Sequence, residues 1–494
     1  MRKLLLATVA ALGASMGAAA VADAQTASPE PGTVTVRLNG RFRFYAGIVS
    51  DRNANNNASG SSAAEPNPTG GVNAQGQGAL PGTNKQSNYM FGDYARLYPG
   101  FDGVAANGLK YGASLEIRQD NASGAGNGAY GSASQQDARR GTLYFRREWG
   151  YIGTDQLGTI RLGSTDQPSS LYITGTFENF NDGGFDGDVG ALASQNTVTP
   201  FPFSDGAGSY YTTTKAIYLS PQLYGFDFGV SFEPNTGNVN ALDSCGTGSP
   251  FGANFVNAAG AFTAANGASS QGVSGPGCDR LSSSPFNSES ARRKNTVDAL
   301  LRYRGTFGAF GVAATGAFIG GSHVLDNSGR PFNNNGAAGA IRPNYDGMSV
   351  GDFGIAVTYG GLSVGGHYSY GRFNETMGTL VPKGLQNTEA AIAGVSYTVG
   401  PLIVGAQYLN IKAPGDVGNA YFGRNRYEWG IAGGATYSLA PGLALFASYL
   451  YSDRKQSGYN FITGQGVTAG NPGGNPYSNK VSSQVFAVGT GFSW

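Results

Sequence analysis

Residues 165–211 carry six carboxylates, Asp166, Glu178, Asp182, Asp186, Asp188 and Asp205, and neither lysine nor arginine. Fixed charge of one sign on a short segment sets a local field that sorts ions and polar solutes. Asp182, Asp186 and Asp188 alternate with Gly183, Gly184 and Gly187. That spacing also suits a calcium loop built from oxygen ligands, and a solvated outer loop would show the same composition. The opposite charge gathers elsewhere: Arg37, Arg41 and Arg43 within seven residues, then Arg96, Arg140 and Arg146. Only 2 His and 2 Cys occur in 494 residues, which leaves almost nothing for a zinc, haem or iron–sulfur centre. His323 and His367 read as structural. No strand-to-helix nucleophile elbow accompanies them, so an enzyme is not expected.

The positioning elements follow from composition and period. Glycine is very frequent, at 80 residues, and charged residues are only 13% of the chain, about half the usual share. Lys plus Arg, 32, nearly equals Asp plus Glu, 31, so no basic face for nucleic acid is expected. Residues 1–24 read as a secretory signal peptide: Arg2 and Lys3, an apolar run from Leu4 to Ala20, and the small-x-small site Ala22-Asp23-Ala24. Its removal leaves 30 basic and 30 acidic residues in 25–494, a single expected domain. No later stretch approaches the 18 apolar residues of a spanning helix. For an exported chain the isolated pair Cys245 and Cys278 should form a disulfide. It would close 34 residues of the loop 234–293, worth roughly 3–4 kcal/mol.

Residues 34–48 alternate strictly. Val34, Val36, Leu38, Phe42, Phe44, Ala46 and Ile48 share one face; Thr35, Arg37, Asn39, Arg41, Arg43 and Tyr45 share the other. This period of two marks a strand with one apolar and one cationic face. It recurs with Leu109, Tyr111, Ala113, Leu115 and Ile117 opposite Lys110, Ser114, Glu116 and Arg118. Arg140, Thr142, Tyr144, Arg146 and Glu148 are expected opposite Leu143, Phe145 and Trp149. Phe226 to Phe232 and Val297 to Tyr303 repeat it again. Sixteen such strands can be placed, near 34–48, 89–103, 108–119, 139–150, 157–164, 212–221, 223–233, 294–304, 308–319, 351–360, 361–370, 388–400, 401–411, 426–439, 442–452 and 481–494. Their connections alternate between short and long. An even strand count, alternating connection length and about ten alternating residues per strand predict an all-β, closed antiparallel transmembrane β-barrel. Tyr45, Tyr303, Tyr359, Tyr368, Tyr397, Tyr408, Tyr437, Tyr449 and Tyr451 lie near strand ends and are expected to form interfacial girdles.

With these patterns the chain resembles a general diffusion porin of the Gram-negative outer membrane. The resemblance rests on Leu38 to Tyr45, on Tyr151-Ile152-Gly153 through Gly158 to Gly163, on Lys215 to Pro221 followed by Tyr224 to Gly229, and on the ending Phe492-Ser493-Trp494. It implies a homotrimer of 16-stranded barrels among outer-membrane lipids and lipopolysaccharide, passing small hydrophilic solutes and ions. It implies that Phe492 and Trp494 are read by the barrel assembly machinery, with Trp standing where Phe is usual. It further implies that the third outer loop, here 165–211, folds into the lumen. Glu178, Asp182, Asp186 and Asp188 would then face a wall of Arg37, Arg41, Arg43, Arg96, Arg140 and Arg146. No cofactor is expected beyond a structural calcium. The main alternative is a substrate-specific channel for sugars or another small nutrient, lined by inward Tyr45, Tyr94, Tyr98, Tyr144 and Tyr218. A soluble exported β-protein would instead bury its apolar faces between sheets.

Overall fold

The computed structural model describes residues 30–52, 87–120, 144–192, 213–235, 255–256, 262–263, 293–323, 347–372, 386–413, 425–460, 465–466 and 479–494. The expected signal peptide, Asp205, Arg140 and the pair Cys245 and Cys278 lie outside them. Sixteen antiparallel strands close into one barrel. In chain order they are β1 Thr33–Arg52, β2 Tyr89–Val104, β3 Lys110–Asp120, β4 Tyr144–Thr154, β5 Gly158–Ser164, β6 Thr214–Leu219, β7 Phe226–Asn235 and β8 Arg293–Phe307. The second half comprises β9 Phe310–His323, β10 Met348–Tyr359, β11 Leu362–Arg372, β12 Thr388–Val399, β13 Leu402–Ala413, β14 Arg426–Ala440, β15 Leu443–Gln456 and β16 Lys480–Ser493. Each of the sixteen expected strands overlaps one of these, and short and long connections alternate throughout.

β1 closes the barrel against β16, with Phe42 opposite Phe492 and Ile48 opposite Phe486. Trp494 exchanges backbone hydrogen bonds with Gly40, and its indole occupies the space a side chain at 40 would need. The row beginning at Thr33 opposite Val104 reaches Val481 after all strands. Its neighbour Ser482 stands opposite Arg52, so the row returns about 20 residues further along β1. With ~3.3 Å per residue and ~4.8 Å between strands, that stagger over sixteen strands gives a tilt of about 40° and a barrel about 32 Å across. An empty cylinder of that width would pass solutes with little discrimination.

The outer face is apolar and the inner face polar, as the alternation predicts. Val36, Leu38, Phe91, Phe145, Leu162, Phe228, Phe318, Phe353, Val404 and Phe486 are exposed to the outside, while Arg96, Glu116, Asp227, Asp298, His367 and Glu428 are buried within. Open edges are costly in hydrocarbon, and closure removes them. Tyr303, Tyr359, Tyr397 and Tyr437 stand on the outer face near the short turns, and Tyr368, Tyr408, Tyr449 and Tyr451 higher on it. Tyr45 departs from the expected girdle: it points inward and is buried against Tyr94 and Phe446.

Two expected faces are corrected. A register shift between Glu116 and Ile117 places the extra residue of a β-bulge at Arg146. One extra residue reverses the parity of everything that follows. Trp149 therefore faces inward, under Arg161 at 4.3 Å, and Glu148, opposite Leu115, faces outward. On β6 the buried inner face is Lys215, Ile217 and Leu219. Tyr218, opposite Val230, points outward and packs on Phe228. The inner wall is apolar there because Leu219 shares the space over Gly229 with Pro168, at the root of the segment following β5.

Candidate functional site

The segment after β5 runs inside the barrel. It starts with one helical turn, α1 (Pro168–Leu171), and ends in two short 3-10 turns, Gly184–Asp186 and Asp188–Leu192. Its path is fixed by contacts with inward positions of successive strands. Ser169 donates from both its backbone N–H and its hydroxyl to Asp298 of β8, at 2.9 and 2.6 Å. His367 of β11 lies 2.9 Å from the Thr174 carbonyl. Asn179 donates to Ser396 of β12, and Asn181 to the Gly433 carbonyl and Ser448 of β14 and β15. Gln407 of β13 bridges the Thr176 carbonyl and the Phe185 N–H.

Glycines on the wall make room for it. A Cβ on Gly229 would stand 2.7 Å from Pro168, one on Gly394 2.8 Å from the Phe177 ring, and one on Gly430 2.7 Å from Phe185. Gly405 lies under Phe180 in the same way, and Gly47 and Gly92 lie under Leu192. Phe177, Phe180, Phe185 and Leu192 are all buried. Burying an aromatic or leucine side chain is worth roughly 1.5–3 kcal/mol, so these anchors and the hydrogen bonds above act together against the ordering cost of the segment. Glycine, ordinarily a weak strand residue, is what lets backbone and inserted ring meet.

The arginines concentrate on the other half of the wall. β1 to β5 carry Arg37, Arg41, Arg43, Arg96, Arg118, Arg146, Arg147 and Arg161 on their inner side. Arg41, Arg43 and Arg96 surround the Tyr94 ring, with guanidinium carbons 5.4, 5.9 and 4.2 Å from its centre. Such cation–π contacts hold like charges near one apolar plate. Arg37 pairs with Asp102 at 2.5 Å, and Tyr151 donates to the same carboxylate. Glu116 takes Arg118, Arg146 and Arg147, the last two at 3.1 Å. Arg147 also holds Asp166, at the segment's root, at 2.7 Å. On β8, Arg302 clasps Asp227 with two bonds of 2.8 and 2.7 Å, joined by Arg304 at 3.1 Å. Arg302 also stacks on Tyr172, 3.5 Å from the ring centre. Burial pushes the Tyr172 phenol up from its ordinary pKa against the lowering pull of Arg302.

Of the four acidic residues expected at the constriction, Asp182 reaches the arginine wall directly. It pairs with Arg43 and accepts the Tyr45 hydroxyl, from a left-handed backbone at φ 67°. Glu178 is half-buried and accepts from Thr176 at 2.9 Å. Its neighbours Phe177 and Asn179 dock on β12. In a ring of sixteen strands β12 lies diametrically opposite β4, which carries Arg146 and Arg147. The backbones of Asp186 and Asp188 belong to the same inserted segment. The structure thus brings Asp182, Arg43, Arg41 and Arg96 together, and sets Arg37 and Arg146 apart in wall pairs of their own. The sequence names Asp166 and Glu116 without their partners and gives no sign of Asp102 or Arg147. Parity put Glu116 and Arg118 on the inner face, but their partners depend on register and on the bulge. Phe492 and Trp494 share the outer face with Val488 and Phe486, beside β1.

A closed barrel with an apolar exterior and a charged, partly filled interior defines a channel of the outer membrane. The chain belongs to the Gram-negative porin family, whose family model matches residues 7–457. Among solved structures it is similar to OmpT of Vibrio cholerae, at 12% identity and a TM-score of 0.47 over 95% of this chain and 100% of that one. It is also similar to Salmonella typhi OmpF in complex with daunomycin, at 12% identity and 0.46 over 93% and 97%. A mutant of the Rh. blastica porin matches at 11% identity and 0.43, over 93% and 100%. No protein of curated function matches the sequence.

Proposed function

We propose that the chain is a general diffusion porin in which residues 165–192 narrow a water-filled passage for ions and small hydrophilic solutes. The observation that carries this reading is the inserted segment, anchored over β8 to β15 and β1, beside a sector of eight arginines on β1 to β5. Glu178, Asp182, Asp186 and Asp188 leave the segment with negative charge, and the opposite sector is cationic. A passage bounded by the two carries a transverse field, which orients dipolar solutes and sets ion preference in a low-dielectric tube. No resident cofactor is required.

The aromatic lining of a sugar channel is not favoured. Of the tyrosines expected to line it, Tyr45, Tyr94 and Tyr98 expose only 2%, 4% and 8% of their surface and Tyr218 points outward, so none of these four offers a free ring face; the Tyr144 side chain lies outside the described residues. The proposed assembly is a homotrimer in outer-membrane lipid and lipopolysaccharide, inserted by the barrel assembly machinery through the β16 seam. Planar-bilayer recording of the detergent-purified protein tests the reading. Conductance steps in groups of three with modest ion preference support it; a small conductance blocked by one particular sugar would overturn it in favour of a specific channel.

A further inference from the structure

His367 is almost wholly buried on β11, its side chain 1% exposed. Nδ1 faces the Thr174 carbonyl at 2.9 Å, and Nε2 faces Asp352 Oδ1 of β10 at 2.7 Å. A carbonyl oxygen can only accept. Asp352 Oδ1 also accepts the Ser369 hydroxyl; with that carboxyl ionised it can only accept from the ring as well. Both ring nitrogens therefore face acceptors, whereas a neutral imidazole has a single N–H. Beside an ionised Asp352, only the imidazolium makes both bonds.

Among the described residues, a further acid and a base lie nearby. Asp298 of β8, held by Ser169, is within electrostatic reach of Asp352, and Lys215 of β6 acts on Asp298 in turn. Ile392 of β12, opposite His367, and Thr315 of β9, opposite Gly354, carry no charge. Thr174 lies between α1 and the Phe177 anchor, so this ring joins the wall to the first arm of the inserted segment.

We propose that His367 is a proton-dependent latch on that segment. Doubly protonated, it holds Thr174 to β11. When pH rises and the ring loses a proton, the remaining N–H stays with the carboxylate, the stronger acceptor. The Nδ1 lone pair then meets the Thr174 carbonyl, acceptor against acceptor, and the first arm leaves the wall. His367 is a positioning residue: it acts on permeation through the segment. The consequence for conductance rests on the reading of 165–192 as the narrowing element.

The test uses the folded protein in detergent with ring-15N histidine. Because the chain has only 2 His, the H323Q variant leaves His367 as the single labelled ring, with the latch itself unmutated. Both ring nitrogens should be protonated at neutral pH. Through the ring's titration, amide protection of residues 168–180, corrected for intrinsic exchange, should fall at least tenfold relative to H367Q. Single-channel conductance should step over the same interval. A ring with one protonated nitrogen at neutral pH, or a titration without loss of protection, would overturn the latch. Loss of protection with unchanged conductance would keep the latch and overturn the narrowing role of the segment.

Discussion

Phe180 of the inserted segment fills the place where Gly405 of β13 has no side chain, and its ring is fully buried there. The same relation recurs between Phe177 and Gly394 and between Phe185 and Gly430. The segment is therefore seated in the wall by shape.

Gly405→Val should unseat Phe180 and leave the barrel closed, because β13 keeps its ladders with β12 and β14. Overpacking of this kind costs about 1–3 kcal/mol, and Phe180→Ala about 3–5 kcal/mol. In both variants single-channel conductance should rise and proteolysis within 165–192 should quicken. Unchanged conductance in both would show that the seat does not set the passage.

Asp182→Asn removes the partner of Arg43 and leaves a cation facing the lumen. The reversal potential in a salt gradient should move toward anions. Neutralising Glu178, Asp182, Asp186 and Asp188 together should move it further. The single variant should also loosen the segment by about 1–3 kcal/mol, the cost of an unsatisfied buried group, read as faster exchange of its amides.

Glu116→Gln leaves Arg118, Arg146 and Arg147 without the carboxylate they share. Removing the acid from a buried ion cluster costs about 3–5 kcal/mol. The urea midpoint of the detergent-folded barrel should fall accordingly, and current should shift toward anions. A midpoint equal to that of the parent protein would show that the cluster is solvated.

Gly40→Val pushes on the Trp494 indole and should weaken the β1–β16 seam. Trp494→Ala should leave the seam paired but lower the yield of membrane-inserted protein. The thermal unfolding temperature of barrel recovered from outer-membrane fractions distinguishes the two, since only Gly40→Val should lower it.

The strands were legible because a membrane barrel imposes a period of two on nearly every transmembrane residue. Val34 through Ile48 and Phe226 through Glu233 took the faces their alternation assigned. Legibility ended where one residue broke the period: the bulge at Arg146 turned Trp149 inward and Glu148 outward. Tyr218 falls on the outer face because its inward neighbours Ile217 and Leu219 are apolar, so polarity does not separate the two faces beside it. The inward course of 165–192 followed from family resemblance, not from its own pattern, and its acidic composition fits a solvated loop equally well. The glycine seats were unreadable, since a strand glycine looks like a weak point until the ring above it is seen. Pairs such as Arg37 with Asp102, separated by 65 positions, require a register that no single strand contains.

The most direct test of the central claim is single-channel recording in a salt gradient of the parent protein and of a variant with residues 176–186 replaced by an equal length of Gly and Ser. The account predicts a larger conductance and a weaker ion preference in the variant, because Phe177, Phe180 and Phe185 no longer hold the segment over the wall and Glu178 and Asp182 no longer face the arginines. Equal conductance and equal reversal potential in the two proteins would contradict it.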